Sequence, residues 1–354
     1  MGQDKGQARW QAIWLTRNAT AVALLPLAWI HGALVRIRRW LYAHHWLSVH
    51  HLQVPVVVVG NVVVGGAGKT PTVLALIRHL QDQGWHPGVV SRGYGREDDA
   101  PLEVLPSTPP ASCGDEPALI RRRAGVPVFV ARQRSEAATA LLTRHPEVDL
   151  IVCDDGLQHL ALGRNLAIAV FDDRGVGNGW LLPAGLLREP WPAKPNVAFA
   201  PDLVLEQSSA FPSPQSAISH HVPRFCATRS LSSEAVNALG DRQPLTSIAG
   251  TNLTAVAGIA RPQSFFDMLE AAGLTLRHAI ALPDHANQEL YDGILNRLDG
   301  PLLCTEKDAV KLFERARLGK SGNAARIWAV PLVLQVDPDF FSAVDDHLGA
   351  LRLT

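Results

Sequence analysis

Val54-Pro55-Val56-Val57-Val58-Val59, then Gly65-Gly66-Ala67-Gly68-Lys69-Thr70, then the helical pattern Thr72 to Gln83, decide the fold of this 354-residue chain. The β-branched run reads as a strand buried on both faces. A glycine-rich turn ending in Gly-Lys-Thr between a strand and a helix is the context a phosphate-binding loop requires. Glycines let backbone N–H groups turn inward, and the helix N-terminus adds favourable partial charge. Gly65, Gly66, Ala67, Gly68, Lys69 and Thr70 are therefore the nucleotide-binding candidates: Lys69 for the β- and γ-phosphates, Thr70 for Mg²⁺. The first glycine of the usual pattern is replaced by Val63. Val64 stands where dimeric ATPases with a deviant loop carry a second lysine.

Outward from this loop, apolar runs recur at Gly88–Ser91, Val126–Val130, Asp149–Cys153 and Leu166–Phe171, with a helical pattern at Ser135–Arg144. Alternation at this spacing predicts βαβ units and a mainly parallel sheet. Phe211-Pro212-Ser213-Pro214-Gln215-Ser216 marks an internal boundary. Beyond it come strands at Leu253–Ala257, Leu302–Cys304 and Ile327–Val336 and a helix at Pro262–Ala272. The expected organisation is α/β: an N-terminal helical segment over 1–50, a P-loop NTPase-type domain over 51–215 and a smaller C-terminal α/β domain over 216–354.

A phosphate loop needs a carboxylate at a nearby strand end. Ile151-Val152-Cys153-Asp154-Asp155-Gly156 supplies an apolar run ending in two aspartates, the metal-shell candidate. Ser91-Arg92-Gly93-Tyr94-Gly95-Arg96 places two arginines and a tyrosine in a turn suited to anionic substrate groups. Gly114-Asp115-Glu116-Pro117, Asp172-Asp173-Arg174-Gly175, Leu187-Arg188-Glu189-Pro190, Pro283-Asp284-His285 and Thr305-Glu306-Lys307-Asp308 add polar clusters. In open α/β sheets such strand ends converge on one crevice. Arg92, Tyr94, Arg96 and Arg174 are the substrate-side candidates.

Net charge is zero, with 33 basic and 33 acidic residues. No global cationic field is present, which argues against nucleic acid as a partner. Four separated cysteines without CxxC spacing argue against a zinc site or a disulfide scaffold. The zero is uneven: over residues 1–50, Lys5, Arg9, Arg17, Arg36, Arg38 and Arg39 face Asp4 alone, a net of +5. Five of the nine tryptophans fall there, around the uncharged 18-residue stretch Asn18–Val35. Trp and Arg beside an apolar stripe suit a membrane-surface helix. A helix packed on the protein and a cleaved signal peptide are the alternatives.

Gly60-Asn61 with Gly65–Thr70, Arg92-Gly93-Tyr94-Gly95, Gly114-Asp115-Glu116-Pro117, Asp154-Asp155-Gly156-Leu157-Gln158-His159, Leu187-Arg188-Glu189-Pro190, Gly258-Ile259-Ala260-Arg261-Pro262, Asp284-His285 and Thr305-Glu306-Lys307-Asp308 together resemble the tetraacyldisaccharide 4'-kinases, the lipid A 4'-kinases of Gram-negative bacteria. The resemblance implies ATP- and Mg²⁺-dependent phosphorylation of the 4'-hydroxyl of a tetraacylated glucosamine disaccharide 1-phosphate. It also implies a monotopic enzyme on the cytoplasmic face of the inner membrane, with no obligate protein partner evident. By motif, Asp115 matches the proposed catalytic carboxylate, His285 its partner, and Glu189 a further acidic residue beside Asp154 and Asp155 at the metal. Thr305–Asp308 is left between a place near the base and a hinge. The rival readings are a P-loop ATPase switch, a small-molecule kinase and a membrane adaptor with a vestigial site.

Overall fold

A computed structural model describes residues 10, 13–96, 98–193, 197–208, 221–248, 252–284, 286–318 and 323–352. The N-terminal helices α1 (Ala19–Ala23) and α2 (Leu25–Ala43) precede β1 (Val56–Gly60) and α3 (Lys69–Asp82). Then follow β2 (Pro87–Ser91), β3 (Leu102–Glu103), α4 (Pro110–Cys113), α5 (Asp115–Ala124), β4 (Val128–Val130), α6 (Arg134–Arg144), β5 (Leu150–Asp154), β6 (Leu166–Phe171), β7 (Leu203–Ser208) and β8 (Arg224–Leu231). The remainder comprises β9 (Glu234–Asn237), β10 (Arg242–Pro244), β11 (Thr254–Ala257), α7 (Pro262–Ala271), β12 (His278–Ala281), α8 (Gln288–Leu295), β13 (Leu302–Thr305), α9 (Glu306–Leu318), β14 (Ile327–Val330), β15 (Leu332–Val336) and α10 (Pro338–Arg352).

Nine strands form the first sheet in the order β15-β8-β7-β6-β1-β5-β2-β4-β3. From β8 to β4 all neighbours are parallel, and β15 and β3 close the edges antiparallel. The central strands are valine-rich because both faces are covered. One face packs on Leu76, Ile77 and Leu80 of α3 and on Phe340, Val344 and Leu348 of α10. The other packs on Ala137, Ala138 and Leu141 of α6 and on Leu157, Leu186 and Leu187 from the strand-end loops. Since β1 lies between β5 and β6, the loop after β1 opens where the strand order reverses, the crevice used by ligands in open α/β sheets.

A second sheet, β10-β9-β14-β13-β11-β12, is built entirely between β8 and β15 of the first. The expected division at 215/216 therefore does not follow the sheets. Residues 224–231 add a strand to the first sheet, and the chain returns to it at 332. Ile327–Val336, expected as one strand, is two. Pro331 interrupts the ladder between them, and β14 stays in the second sheet while β15 joins the first. The Pro/Ser-rich stretch at 211–216 lies outside the described residues.

Among the described residues no helix is long and apolar enough to cross a membrane. Helix α2, of 19 residues, buries only Ala28 and Gly32. Gly32 sits against Leu181, and a side chain there would collide with it. Trp29, Ile30, Leu34 and Ile37 are all more than half exposed.

Candidate active site

The loop after β1 is shaped by its backbone. Gly65 and Gly68 have φ of 90° and 78°, conformations that L side chains rarely adopt. Gly68 caps α3, and a Cβ there would strike the Gln207 side chain. Gln207, buried at the end of β7, donates to the Gly68 carbonyl at 2.8 Å and to Thr72 Oγ1 at 2.6 Å. Asn61 donates to the Gly65 carbonyl at 3.0 Å. Arg174 donates to the Val64 carbonyl at 3.0 Å while its Nε bonds both oxygens of Asp172. Arg174, expected to meet substrate phosphate, is thus turned onto the loop backbone.

Lys69 is buried at the start of α3, its Nζ 3.6 Å from Asp155 Oδ1. Asp154 ends β5 and is fully buried; Asp155 follows with φ of 50°. Ser91 Oγ lies 3.5 Å from Asp154 Oδ2, whereas Asp154 Oδ1 has no hydrogen-bond partner. Burial, joined by the charges of Glu116 and Asp155, pushes the Asp154 carboxyl up to about 7 against the pull of Lys69 and Arg134. Burial also acts upward on Asp155, but Lys69, Arg188 and Arg134 outweigh it and hold that carboxyl below its ordinary value. Arg188 lies 3.5 Å from Asp155 Oδ1, and Arg134, at the start of α6, donates to the Asp155 carbonyl at 3.0 Å. One aspartate is therefore charge-compensated and its neighbour is not. Among the described residues no three His, Cys, Asp or Glu are grouped closely enough to hold a metal. A Mg²⁺ site needs no such group, since one or two carboxylates complete a shell of water and substrate phosphate. The orphaned oxygen of Asp154 and the hydroxyl of Thr70 fit that donor set.

Gly66–Thr70 form one wall of a cavity of about 200 Å³ whose opposite wall is Ile259, Arg261, Phe265 and Met268 from the second sheet's side. Glu116 and Thr305 to Lys307 also line it. Arg261 lies 3.3 Å from Asp173, and Arg229 lies 2.9 Å from the same carboxylate, tying the two sheets together beside the loop. The 305–308 segment divides its work. Glu306 pairs with Arg123 of α5, while Asp308 turns inward, accepting from Tyr291 at 2.6 Å and from the Gly258 N–H at 2.9 Å.

Asp115 opens α5 and is buried, with Lys311 Nζ 2.9 Å from its Oδ2. His285 lies outside the described residues; its neighbours Asp284 and Ala286 contact Lys307 and Lys311. Glu189 accepts from Gln158 at 2.9 Å on Oε1 and pairs through Oε2 with Arg39. Both oxygens are engaged, so here Glu189 fastens α2 to the strand-end loops. Arg96 is likewise diverted: it donates to the Val130 and Ala100 carbonyls at 3.0 and 2.8 Å and shapes its own turn. Arg92 and Tyr94 are exposed and line a separate cavity with Asp98 and Asp99. Sequence reasoning missed Arg134, Gln207 and Lys311. Arg134 alone carried a signal, its place just after the strand read at Val126–Val130; Gln207 and Lys311 carried none.

A glycine-framed loop at the switch point, with a buried lysine facing a strand-end aspartate pair, defines a P-loop α/β nucleotide-binding protein. Comparison with known proteins is consistent with this. Residues 20–349 match the family model described as tetraacyldisaccharide-1-P 4'-kinase. The tetraacyldisaccharide 4'-kinase of Delftia acidovorans is 49% identical over 343 residues, covering 97% of this chain and 95% of the relative. That of Polaromonas naphthalenivorans is 51% identical over 341 residues, covering 96% and 94%. In fold, the chain resembles LpxK from Aquifex aeolicus, whose crystal structure is a complex with ATP. The TM-score is 0.76 at 24% identity, over 94% of this chain and 99% of that one. The chain belongs to the tetraacyldisaccharide 4'-kinase family.

Proposed function

We propose that this kinase transfers the γ-phosphoryl group of ATP to the 4'-hydroxyl of the tetraacylated glucosamine disaccharide 1-phosphate precursor of lipid A. Family membership supports the reaction class and the acceptor. The observation that carries the lipid acceptor over a small soluble one is a relay of contacts. Arg39 of α2 pairs with Glu189, Gln158 bonds both Glu189 and the Asn61 carbonyl, and Asn61 holds the Gly65 carbonyl. One face of α2 is tied to the phosphate loop, and the other is exposed and apolar.

In this reading residues 1–50 rest on the cytoplasmic surface of the inner membrane. A four-chain lipid leaves a bilayer only at about 0.8 kcal/mol per CH₂, so the enzyme meets the headgroup at the interface. The apolar wall at Ile259, Phe265 and Met268 suits a nucleotide base, and the loop amides and Lys69 suit its phosphates. Thr70 and Asp154 would hold Mg²⁺, which when bound neutralises charge on the transferring group. Asp155 orients Lys69. Asp115 accepts the hydroxyl proton late in the transfer, with His285 as its partner. Arg92 and Tyr94 face the anionic substrate, and Arg174 and Arg96 act through the loops they shape. The first sheet with α10 forms the nucleotide unit, and residues 234–330 form the smaller one.

The test is transfer of γ-labelled phosphate to the tetraacyl disaccharide 1-phosphate dispersed in detergent. Acceptor-dependent labelling is expected. ATP hydrolysis at the same rate with and without acceptor would point instead to an ATPase switch.

A further inference from the structure

Helix α9 carries two lysines one turn apart, and each spans the gap between α5 and the 283–286 turn. Lys307 Nζ lies 2.7 Å from Asp284 and 3.7 Å from Glu116. Lys311 Nζ lies 2.9 Å from Asp115 Oδ2 and donates to the Ala286 carbonyl at 3.0 Å. A side chain three or four residues further along a helix falls on the same face, so the pair forms a short comb. Each tooth joins one carboxylate of the Asp115-Glu116 pair to a turn belonging to the second sheet. Lys311 is 14% exposed and Asp115 7%, so water screens their contact little.

We propose that Lys311 is a positioning residue for the phosphoryl transfer. It fixes the Asp115 carboxylate against the 283–286 turn, so that its orientation is set by the second unit. This inference rests on Asp115 being the proton acceptor. An ammonium group suits this role, because a compact charge with three donors satisfies a carboxylate and a carbonyl together. Lys311 is not needed to hold the helices together, because the Arg123–Glu306 pair joins α5 to α9 independently. Without Lys311, Asp115 keeps its place on α5 and loses the ion pair that ties its Oδ2 to the 283–286 turn. Misplacing a reacting group by about 1 Å costs on the order of 10²-fold in rate.

The experiment is steady-state kinetics on Lys311→Met, Lys311→Arg, Asp115→Asn, the Asp115→Asn/Lys311→Met double variant and Arg315→Ala. Lys311→Met is expected to lower kcat about 10- to 100-fold with KM for ATP changed less than about threefold. Lys311→Arg restores part of the loss. In the Asp115→Asn background the lysine change costs less than about twofold, because the group it orients is gone. Arg315→Ala removes the ion pair from α9 to Asp292 of α8 and retains kcat. Wild-type kcat in Lys311→Met alongside an impaired Asp115→Asn would overturn the positioning role and leave Asp115 standing. Near-wild-type turnover in Asp115→Asn would remove both readings. Equal losses in Lys311→Met and Arg315→Ala would reduce Lys311 to general support of the helix. Should Lys311→Met not fold, Lys311→Gln, which keeps a donor for the Ala286 carbonyl without the charge, carries the same test.

Discussion

Lys69 Nζ lies 3.6 Å from Asp155 Oδ1, joining the first residue of the loop helix to the end of the neighbouring strand. The lysine is thereby aimed across the mouth of the loop before any phosphate arrives, and little reorganisation remains for the moment of reaction. Lys69→Ala is expected to lower turnover by about 10²–10³-fold, the range for loss of one preorganised electrostatic donor. Initial rates with saturating acceptor measure it. A variant with wild-type turnover would remove Lys69 from the phosphate site.

Asp115 stands at the start of α5, one residue before Glu116, which lines the nucleotide cavity. Asp115→Ala is expected to lower kcat by about 10²–10⁴-fold, the span of a single general acid–base group. ATP affinity should stay within a few-fold, because the loop contacts are untouched. Equilibrium nucleotide binding alongside kcat separates the two. A parallel collapse of binding and turnover would place Asp115 in the nucleotide site instead.

Asp154 yields a pH prediction. Burial, with Glu116 and Asp155 adding to it, raises its carboxyl from 3.8 to about 7 in the fold. Across that window the native state holds a proton the unfolded chain has released, so this group makes stability fall as pH rises. The penalty is absent below the unfolded value and complete above the folded one. Asp154→Asn is neutral throughout. It is therefore expected to be more stable than wild type at about pH 8 by a few kcal/mol, since each tenfold change in proton affinity is worth about 1.4 kcal/mol, and close to wild type at about pH 4. Urea denaturation of the ligand-free proteins at the two pH values measures it. The same variant loses turnover, as expected where a buried charge is kept for function rather than stability. An Asn variant less stable than wild type at about pH 8 would overturn the argument.

The central parallel strands were legible because they are buried on both faces, which turns each into an unbroken apolar run such as Val56–Val59. The two-residue edge strand Leu102–Glu103 was not, nor were two parallel strands. Leu203–Ser208 ends in Glu206-Gln207-Ser208, and Arg224–Leu231 is only partly buried and carries Arg224 and Arg229. Local pattern alone did not mark either as a strand. At the site the same divide applies. The loop and the aspartate pair are contiguous in sequence, so their chemistry shows there. Lys311 and Asp115 are 196 positions apart, Arg39 and Glu189 are 150 apart, and neither pairing leaves a local trace. Arg174 and Arg96 have the residue type for binding phosphate; only backbone carbonyls brought near by the fold show where their guanidinium groups go.

Arg39 and Glu189 give a prediction about how α2 is held. The pair is nearly buried, and Gln158 completes the coordination of the carboxylate. Arg39→Ala leaves that carboxylate without its charged partner, a change that costs about 3–5 kcal/mol in fully buried pairs and less here, where Arg39 retains some exposure. Denaturation curves for Arg39→Ala and for Arg39→Ala/Glu189→Gln measure it. The double variant should recover part of the loss because the uncompensated charge is gone. No recovery would mean that packing rather than charge fixes the helix.

The outer face of α2 is tested by substitution rather than by deletion. Removing residues 1–46 would strip Arg39 from Glu189, expose Leu181 where Gly32 covers it, and cut the Trp14 Nε1 bond to the Pro183 carbonyl. A damaged fold and a lost membrane contact would then look alike. Ile30, Leu34 and Ile37 instead share the exposed stripe, at 58%, 61% and 54% of full exposure. Burying an aliphatic side chain of this size is worth about 1.5–3 kcal/mol, so replacing all three with serine should weaken partition onto vesicles by at least about 10²-fold. The inward contacts of α2 are untouched, so kcat on detergent-dispersed acceptor should stay within about threefold of wild type. Co-sedimentation with anionic vesicles and the detergent assay, run on one preparation, separate the effects. Undiminished sedimentation would move the membrane contact to another surface, and loss of the detergent activity would show that this stripe serves the fold.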